Sequence, residues 1–519
     1  MSASREKKNR QELAAQGYVD PKKIREAEEQ AAAKKSKVIY GVIAALFVIV
    51  AVASLVISSG VTQRNAKAVS IDGQEYTAAE MSYYYYSIYN NVLNSQYGSY
   101  MGIDTAKPLS EQVMSDTAKL VLAVESQEEL TWHQYLMDTA KQSMVEVKRL
   151  YEAALADGED PQDPHVTEEI DATVEMVGQY AKQSGYSTKE YLRLVYGKNM
   201  TVDLFRNIAA QAHVASHYES EYIASLDYTV ADMEAYYAEN KASFDVAAYE
   251  SLSFSGTPEV KYDAENNVIE ATDEEKAQAK QAAADSAAAV LERIQNGEKL
   301  ADIAKEYEGK ASYTNTEKGS NTGSDVSNWL FAEGRVADEA TVINGDPTAT
   351  VVVFHSVGRH EYETVDVRHI LAMADTSALD SGSETYEADK QAIWDEAKAE
   401  AEQMLADWKA GEATEESFGE MAAQLSDDGA DHGLYENVYK GQMVENFENW
   451  CFDAARSSGD TGIVETPYGY HVMYFVKHNA PYWQVQAQNA MATADHAAWL
   501  EALTADAEVV ELNGIKHVG

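Results

Sequence analysis

The chain writes Asn-Trp-x-Phe twice, in the nine-residue words "SNWLFAEGR" at residues 327–335 and "ENWCFDAAR" at 448–456, so that Asn328 and Asn449 lie 121 positions apart. The likeness extends well beyond the word. The strand-like "DVAAYESLSFSG" aligns with "EYETVDVRHILAMA", which sets Ser251 against His369. Helical stretches follow in which Val290, Leu291, Ile294 and Gly297 stand against Met404, Leu405, Trp408 and Gly411, and Leu300, Ile303 and Tyr307 against Phe418, Met421 and Leu425. After the word, "GDPTATVVVFHSVG" aligns with "TPYGYHVMYFVKHN", with Thr350 against His471. Order is kept and the offset drifts only by small insertions, the trace that a duplicated domain leaves in a sequence. Two copies of one α+β unit are therefore expected, each the size of a small single domain.

Outside the repeat, residues 38–58, "VIYGVIAALFVIVAVASLVIS", carry no charge over 21 positions. At about 1.5 Å per helical residue such a run crosses a hydrocarbon core of about 30 Å. It is longer than the roughly 7–15-residue apolar region of a cleaved signal peptide. The 37 residues before it hold ten Lys or Arg against six acids, which places them in the cytoplasm by the positive-inside rule. The rest of the chain carries the excess acid behind a formal charge of −45, so nucleic acid is excluded as a partner for want of a basic footprint.

Between the apolar run and the repeat, "AVSIDGQEYTAAEM" alternates about Asp72-Gly73 and reads as a hairpin that feeds helices. The pattern to about Lys241 is mostly helical, with Leu130, Tyr135, Ala140, Met144 and Leu150 near one stripe of a long helix. The run "MSYYYYSIYNNVL" reads either as an amphipathic core helix or as a surface for unfolded peptide, since Tyr offers apolar area and a hydrogen bond together. The single cysteine, Cys451, excludes an intramolecular disulfide and sits in an apolar helical pattern as a small hydrophobe. The tail "ADHAAWLEALTADAEVVELNGIKHVG" reads as a helix, then a strand with an Asn513-Gly514 turn, expected to return and pair near "AVSIDGQEY".

The two copies differ in polar positions while their apolar ones agree. The second has His369 and His471 where the first has Ser251 and Thr350, and its "KGQMVENFENW" faces "KGSNTGSDVSNW". One copy keeps a site and the other keeps the fold.

The second copy, with "VRHILAMA", "FGEMAAQLSDD" and "GLYENVYKGQMVENFENWCFDAARSSGDTGIVETPYGYHVMYFV", resembles the parvulin family of peptidyl-prolyl cis/trans isomerases. The whole arrangement is similar to extracytoplasmic foldases of the PrsA and SurA type. The resemblance implies a catalytic network of His369, Asp428 and His471, with the two imidazoles on adjacent central strands. Met443 and Phe447, four apart at a helix start, would line a proline pocket, joined by Leu434 and Tyr470 as substrate-binding residues. Tyr468 falls where the family often places a hydroxyl or small residue. No metal or other cofactor is expected, since the "SDDGADHG" run lacks EF-hand spacing. The loop "DTSALDSGSETYEAD" is acidic, which argues against a preference for phosphorylated substrates.

The expected fold is thus multidomain α+β: a cytoplasmic tail (1–37), a transmembrane helix (38–58), a helical chaperone-like module (59–242), a degenerate parvulin-like domain (243–359), a parvulin domain (360–480) and a helix-strand tail (481–519). The expected function is a membrane-anchored, extracytoplasmic isomerase and chaperone for secreted polypeptides containing X-Pro bonds, single-pass in the cell membrane of a single-membrane bacterium. A non-catalytic holdase with a vestigial isomerase site is the alternative. Clients and oligomeric state are not encoded legibly.

Overall fold

A computed structural model describes residues 61–124, 128–319 and 322–519. The basic tail and the apolar run 38–58 lie outside these residues; among the described residues no helix is long and apolar enough to cross a membrane. The described residues divide into two compact units, one built from those up to Ser225 with His496–Gly519 and the other from Leu226–Asp495.

In the first unit, β1 (Lys67–Ile71) and β2 (Gln74–Thr77) form the hairpin about Asp72-Gly73. Both turn residues have positive φ, 52° and 81°, as a two-residue hairpin turn requires. Thr77 then caps the helix Ala78–Asn94 in a reciprocal box with Glu80. The long helix Trp132–Asp157 is capped by Thr131 and Gln134 and ends at Gly158 with φ 103°. Helices Pro164–Gln183, Thr188–Tyr196 and Val202–Ser225 complete the helical part. The tail strand β13 (Val509–Glu511) pairs antiparallel with β1, giving a three-stranded order β13-β1-β2. Ile71, Met81, Tyr85, Leu136, Met144 and the tail residue Val518 share one buried cluster. The consecutive tyrosines serve two clusters: Tyr85 is buried in this one, and Tyr83 packs in a second, against Tyr196 and Phe205 with ring centroids 4.8 and 6.1 Å away.

The second unit holds two four-stranded antiparallel sheets. The first contains β3 (Val246–Phe254), β6 (Ala311–Lys318), β7 (Ala340–Asn344) and β8 (Ala349–Gly358), in the order β6-β3-β8-β7. A two-stranded flap, β4 (Lys261–Tyr262) with β5 (Val268–Ile269), stands outside it. The second contains β9 (Glu363–Met373), β10 (Leu434–Val438), β11 (Thr461–Thr466) and β12 (Gly469–Pro481), in the order β10-β9-β12-β11. The two orders are the same. So is the register: Ser251 pairs with Val352 and Ser253 with Thr350 in one sheet, while His369 pairs with Met473 and Leu371 with His471 in the other.

Each sheet is apolar on both faces, because the alternating side chains meet two different covers. In the second copy, Ile370, Ala372, Val472 and Tyr474 meet the helices Tyr386–Ala410 and Glu415–Leu425 through Met404, Trp408 and Phe418. The opposite face, with Val365, Val367, Met473 and Phe475, meets the short helix Glu445–Cys451 through Phe447 and Cys451. The first copy repeats both layers, with Val290, Leu300 and Ile303 on one side and Leu330 on the other. The repeated word lies in that short helix, and its last residue explains its length. Arg335 and Arg456 fold back over Trp329 and Trp450 at 4.3 and 4.2 Å from the rings, and each donates Nε–H to that tryptophan's carbonyl, at 2.9 and 3.1 Å. Cys451 occupies the place of Leu330, and both are fully buried. Burial pushes the Cys451 thiol up to about 12, consistent with packing and not with reactivity.

Candidate active site

His369 sits on β9 and His471 on β12, and the register brings both imidazoles to the face covered by the short helix. Both are buried, at 1% and 6% exposure. Their Nδ1 atoms are 3.2 Å apart; one must donate and the other accept. On the far side of His471, Nε2 is 2.9 Å from the Thr466 hydroxyl, which also accepts the backbone N–H of Tyr468 at 3.2 Å. His369 Nε2 makes no hydrogen bond and stands 4.0 Å from Oδ2 of Asp428. An N–H is electrostatically favoured toward a carboxylate, so the consistent assignment protonates His369 on Nε2 and His471 on Nδ1, with Thr466 donating to His471 Nε2. The result is one oriented chain: Thr466, His471, His369, Asp428. Tyr435 donates its hydroxyl to the same Asp428 oxygen at 3.1 Å and is itself pushed up to about 12 by burial and by that carboxylate, so it remains a donor.

Burial holds both imidazoles neutral. His471 is lowered to about 4, by desolvation first and then by the neighbouring His369; His369 is lowered by desolvation, against the pull of Asp428. Their folded values lie below the unfolded value of about 6.5, so the unfolded chain binds more protons between those limits and stability falls as pH drops through that window. Above pH 7 the effect is absent. For His471 the slope approaches about 1.4 kcal/mol per pH unit between about pH 6 and its folded value of about 4, and His369 adds to it in the same direction. Urea midpoints of the second unit at pH 7, 6 and 5 measure it, and a His369→Ser/His471→Thr variant should show a shallower decline.

Beside the imidazoles opens a cavity of about 440 Å³, walled by Leu371, Met443 and Phe447 and rimmed by Asp427, Asp428, Tyr435 and Tyr468. Phe447 presents its edge to both histidine rings, with centroids 5.8 and 5.3 Å away at 81° and 86°. Ser426 and Asp427 fix the rim to β9: the Ser426 hydroxyl accepts the Leu371 N–H at 3.0 Å, and the Asp427 carboxylate accepts that of Met373 at 2.9 Å. The tight turn into β12 needs Gly469, whose φ is 144° and where a Cβ would stand 2.2 Å from the Ala372 carbonyl oxygen.

Five of the seven site residues read from the sequence meet here: His369, Asp428, His471, Met443 and Phe447. The structure places the other two elsewhere. Tyr470 lies on the opposite face of the sheet, edge-on to Trp394 at 5.9 Å and donating to Glu465. As the strand neighbour of His471 it cannot share its face. Leu434 pairs with Arg368 across β10 and β9 and does not line the cavity, whereas the next residue, Tyr435, does. Thr466, Tyr435 and Asp427 went unread as site residues, although the period-two pattern distinguishes Tyr435 from Leu434 once His369 is fixed, and Tyr468, noted only for its position, lies at the rim.

The PPIC-type PPIASE domain family matches residues 353–478. No curated protein matches the chain. Among solved structures, PrsA from Bacillus subtilis is similar at 13% identity over 73% of this chain and 89% of that one, with a TM-score of 0.22. A peptidylprolyl isomerase (PrsA) from Bacillus anthracis is 17% identical over 28% of this chain, which spans 58% of that protein's chain, with a TM-score of 0.17. A SurA-like chaperone of Campylobacter jejuni is 14% identical over 69% and 91%, with a TM-score of 0.16. Such TM-scores fix no common arrangement, and the assignment rests on the matched domain: the chain carries a parvulin-type peptidyl-prolyl isomerase domain of the PPIC family over residues 353–478.

Proposed function

We propose that this chain is a peptidyl-prolyl cis/trans isomerase and chaperone for unfolded secreted polypeptides, anchored by residues 38–58 with its bulk outside the cytoplasm. The observation that carries the catalytic reading is the buried His369–His471 pair, linked to Thr466 and facing Asp428, at the wall of an apolar cavity. The topological reading rests on the uncharged run and the basic tail before it.

The chemistry asks for little covalent machinery. Amide resonance sets a barrier of about 18–20 kcal/mol, and an X-Pro bond crosses it over tens to hundreds of seconds. Twisting uncouples the carbonyl and localises the nitrogen lone pair, so a site that binds the twisted bond better than either planar form accelerates the exchange. Leu371, Met443 and Phe447 hold the proline ring away from water. The fixed tautomers keep the polar chain oriented before the bond turns, so little reorganisation remains at the transition state.

The rim sets selectivity. Asp427 and Asp428 are the charged residues lining the cavity, and a phosphoserine would bring close to two further negative charges. NMR exchange spectroscopy with matched peptides should show turnover of Ser-Pro, slower turnover of phosphoserine-Pro, and faster turnover of Arg-Pro. No catalysis of any X-Pro peptide by the wild type would leave the holdase reading; faster turnover of the phosphorylated peptide would overturn the substrate assignment.

A further inference from the structure

In the first unit, far in sequence from the isomerase residues, two histidines lie one helical turn apart on the helix Val202–Ser225: "HVASH", His213 and His217, followed at the next turn by Glu221. Their spacing puts all three on one face, the arrangement by which a helix offers two imidazoles to one ion. That face meets two other pieces of chain. Glu159 comes from the turn after the helix Trp132–Asp157, held where it is by the left-handed Gly158 and by its own N–H bonded to the Ala154 carbonyl at 3.0 Å. Glu169 comes from the helix Pro164–Gln183. Together with His165 they line a cavity of about 300 Å³.

The distances are those of ligands around a shared centre. His217 Nδ1 is 3.2 Å from Glu159, His217 Nε2 is 3.9 Å from Glu221, and His213 Nε2 is 3.1 Å from Glu169. One ligand atom from each of Glu159, His217 and Glu221 falls within 4.8 Å of the other two. Two neighbouring carboxylates have other work: Asp160 accepts the Gln162 N–H and Asp163 caps His165. The converging donors are therefore one imidazole and two glutamates, with His213 and Glu169 paired beside them.

We infer that this cluster is a divalent transition-metal site of the zinc class, with His217, Glu159 and Glu221 as ligands. Imidazole with carboxylate suits zinc, while calcium and magnesium demand oxygen donors alone. The ion would clip the helix Val202–Ser225 to the turn that follows the helix Trp132–Asp157. The sequence alone led to no metal being expected, because only the "SDDGADHG" run was weighed as a cation site and "HVASH" was not singled out.

Cobalt(II) tests this directly on the full-length chain, because a tetrahedral nitrogen-oxygen site gives it strong visible absorption that acidic surface residues do not. The expected result is one equivalent of cobalt bound with that absorption, displaced by zinc and unaffected by a large excess of calcium. His217→Ala, at an exposed position, and Glu159→Gln, which keeps the side chain's shape, should each weaken binding at least tenfold with the helical far-UV signal unchanged. Zinc should also raise the unfolding midpoint of the wild type and not that of His217→Ala. Absence of the absorption, or equal affinity in wild type and both variants, would overturn the assignment.

Discussion

Exchanging His369 and His471 for the residues of the sister copy, His369→Ser with His471→Thr, is expected to lower isomerase activity on a proline tetrapeptide by about a hundredfold or more while leaving the second sheet folded. The magnitude follows from mutagenesis of preorganised polar groups, where loss of one donor costs roughly 10²–10³ in rate. Retention of the fold follows from the first copy. There, Ser251 and Thr350 occupy the same register positions in a sheet of the same strand order, and the hydroxyls of Ser253 and Thr350 meet at 3.0 Å across the strands. The double change also removes a pair, so no single imidazole is left buried without its partner. Unfolding by urea at pH 7 should therefore shift modestly, and protease-coupled isomerisation should fall steeply. Undiminished turnover would remove the imidazoles from the mechanism. The reverse exchange, Ser251→His with Thr350→His, should confer no activity: aligned on the shared tryptophan, Thr322 and Val326 stand where Met443 and Phe447 wall the cavity beside the imidazoles.

These expectations show which features a sequence alone can carry. The duplication was legible because apolar positions, turn glycines and the tryptophan word all serve packing, and packing repeats with the fold. The two histidines were legible as the difference between copies. Tyr470 and Leu434 were misplaced for one reason. Motif words are read as strings, yet in a strand each step of one residue changes the face, so neighbours of a site residue are excluded from the site. Thr466 left no signal of its own, because a strand-end threonine is common and only the pairing of β11 with β12 brings it to His471. Asn513-Gly514 was read as a turn beside a strand. It opens a short 3-10 segment instead, and the glycine is required because a Cβ would come within 2.4 Å of the Lys67 carbonyl oxygen. The glycine was visible and its reason was not, since close approach between segments more than 400 residues apart has no local signature.

That same approach gives the second large effect. Removing the last residues, 506–519, should unfold the helical unit while isomerisation of a tetrapeptide survives. The tail supplies β13, which pairs with β1 through Val69, Ser70 and Ile71, and Leu512 donates its N–H to the Ala68 carbonyl at 2.8 Å. It also supplies Val518, 5% exposed within the cluster of Ile71, Met81, Tyr85 and Leu136. Asp72, in the hairpin turn, accepts the Glu508 N–H at 2.9 Å as well as Lys148 at 3.1 Å, and these partners hold its carboxyl below the usual range. Burying a valine contributes about 1.5–3 kcal/mol, and each net hydrogen bond about 0.5–1.5 kcal/mol. Four or so such bonds with Val518 come to roughly 5 kcal/mol, comparable with the whole stability of a domain at about 5–15 kcal/mol. The loss also exposes β1 as an open edge, which invites pairing between chains. His369, His471 and their cavity belong to the other unit, Leu226–Asp495, and need nothing from the tail. Far-UV circular dichroism should therefore lose helical signal in the truncated chain, with peptide turnover kept and suppression of aggregation of a denatured client lost. If the truncated chain kept both its helical signal and its hold on denatured protein, the tail would be an ornament on the helical unit; if it lost peptide turnover as well, the two units would not fold apart.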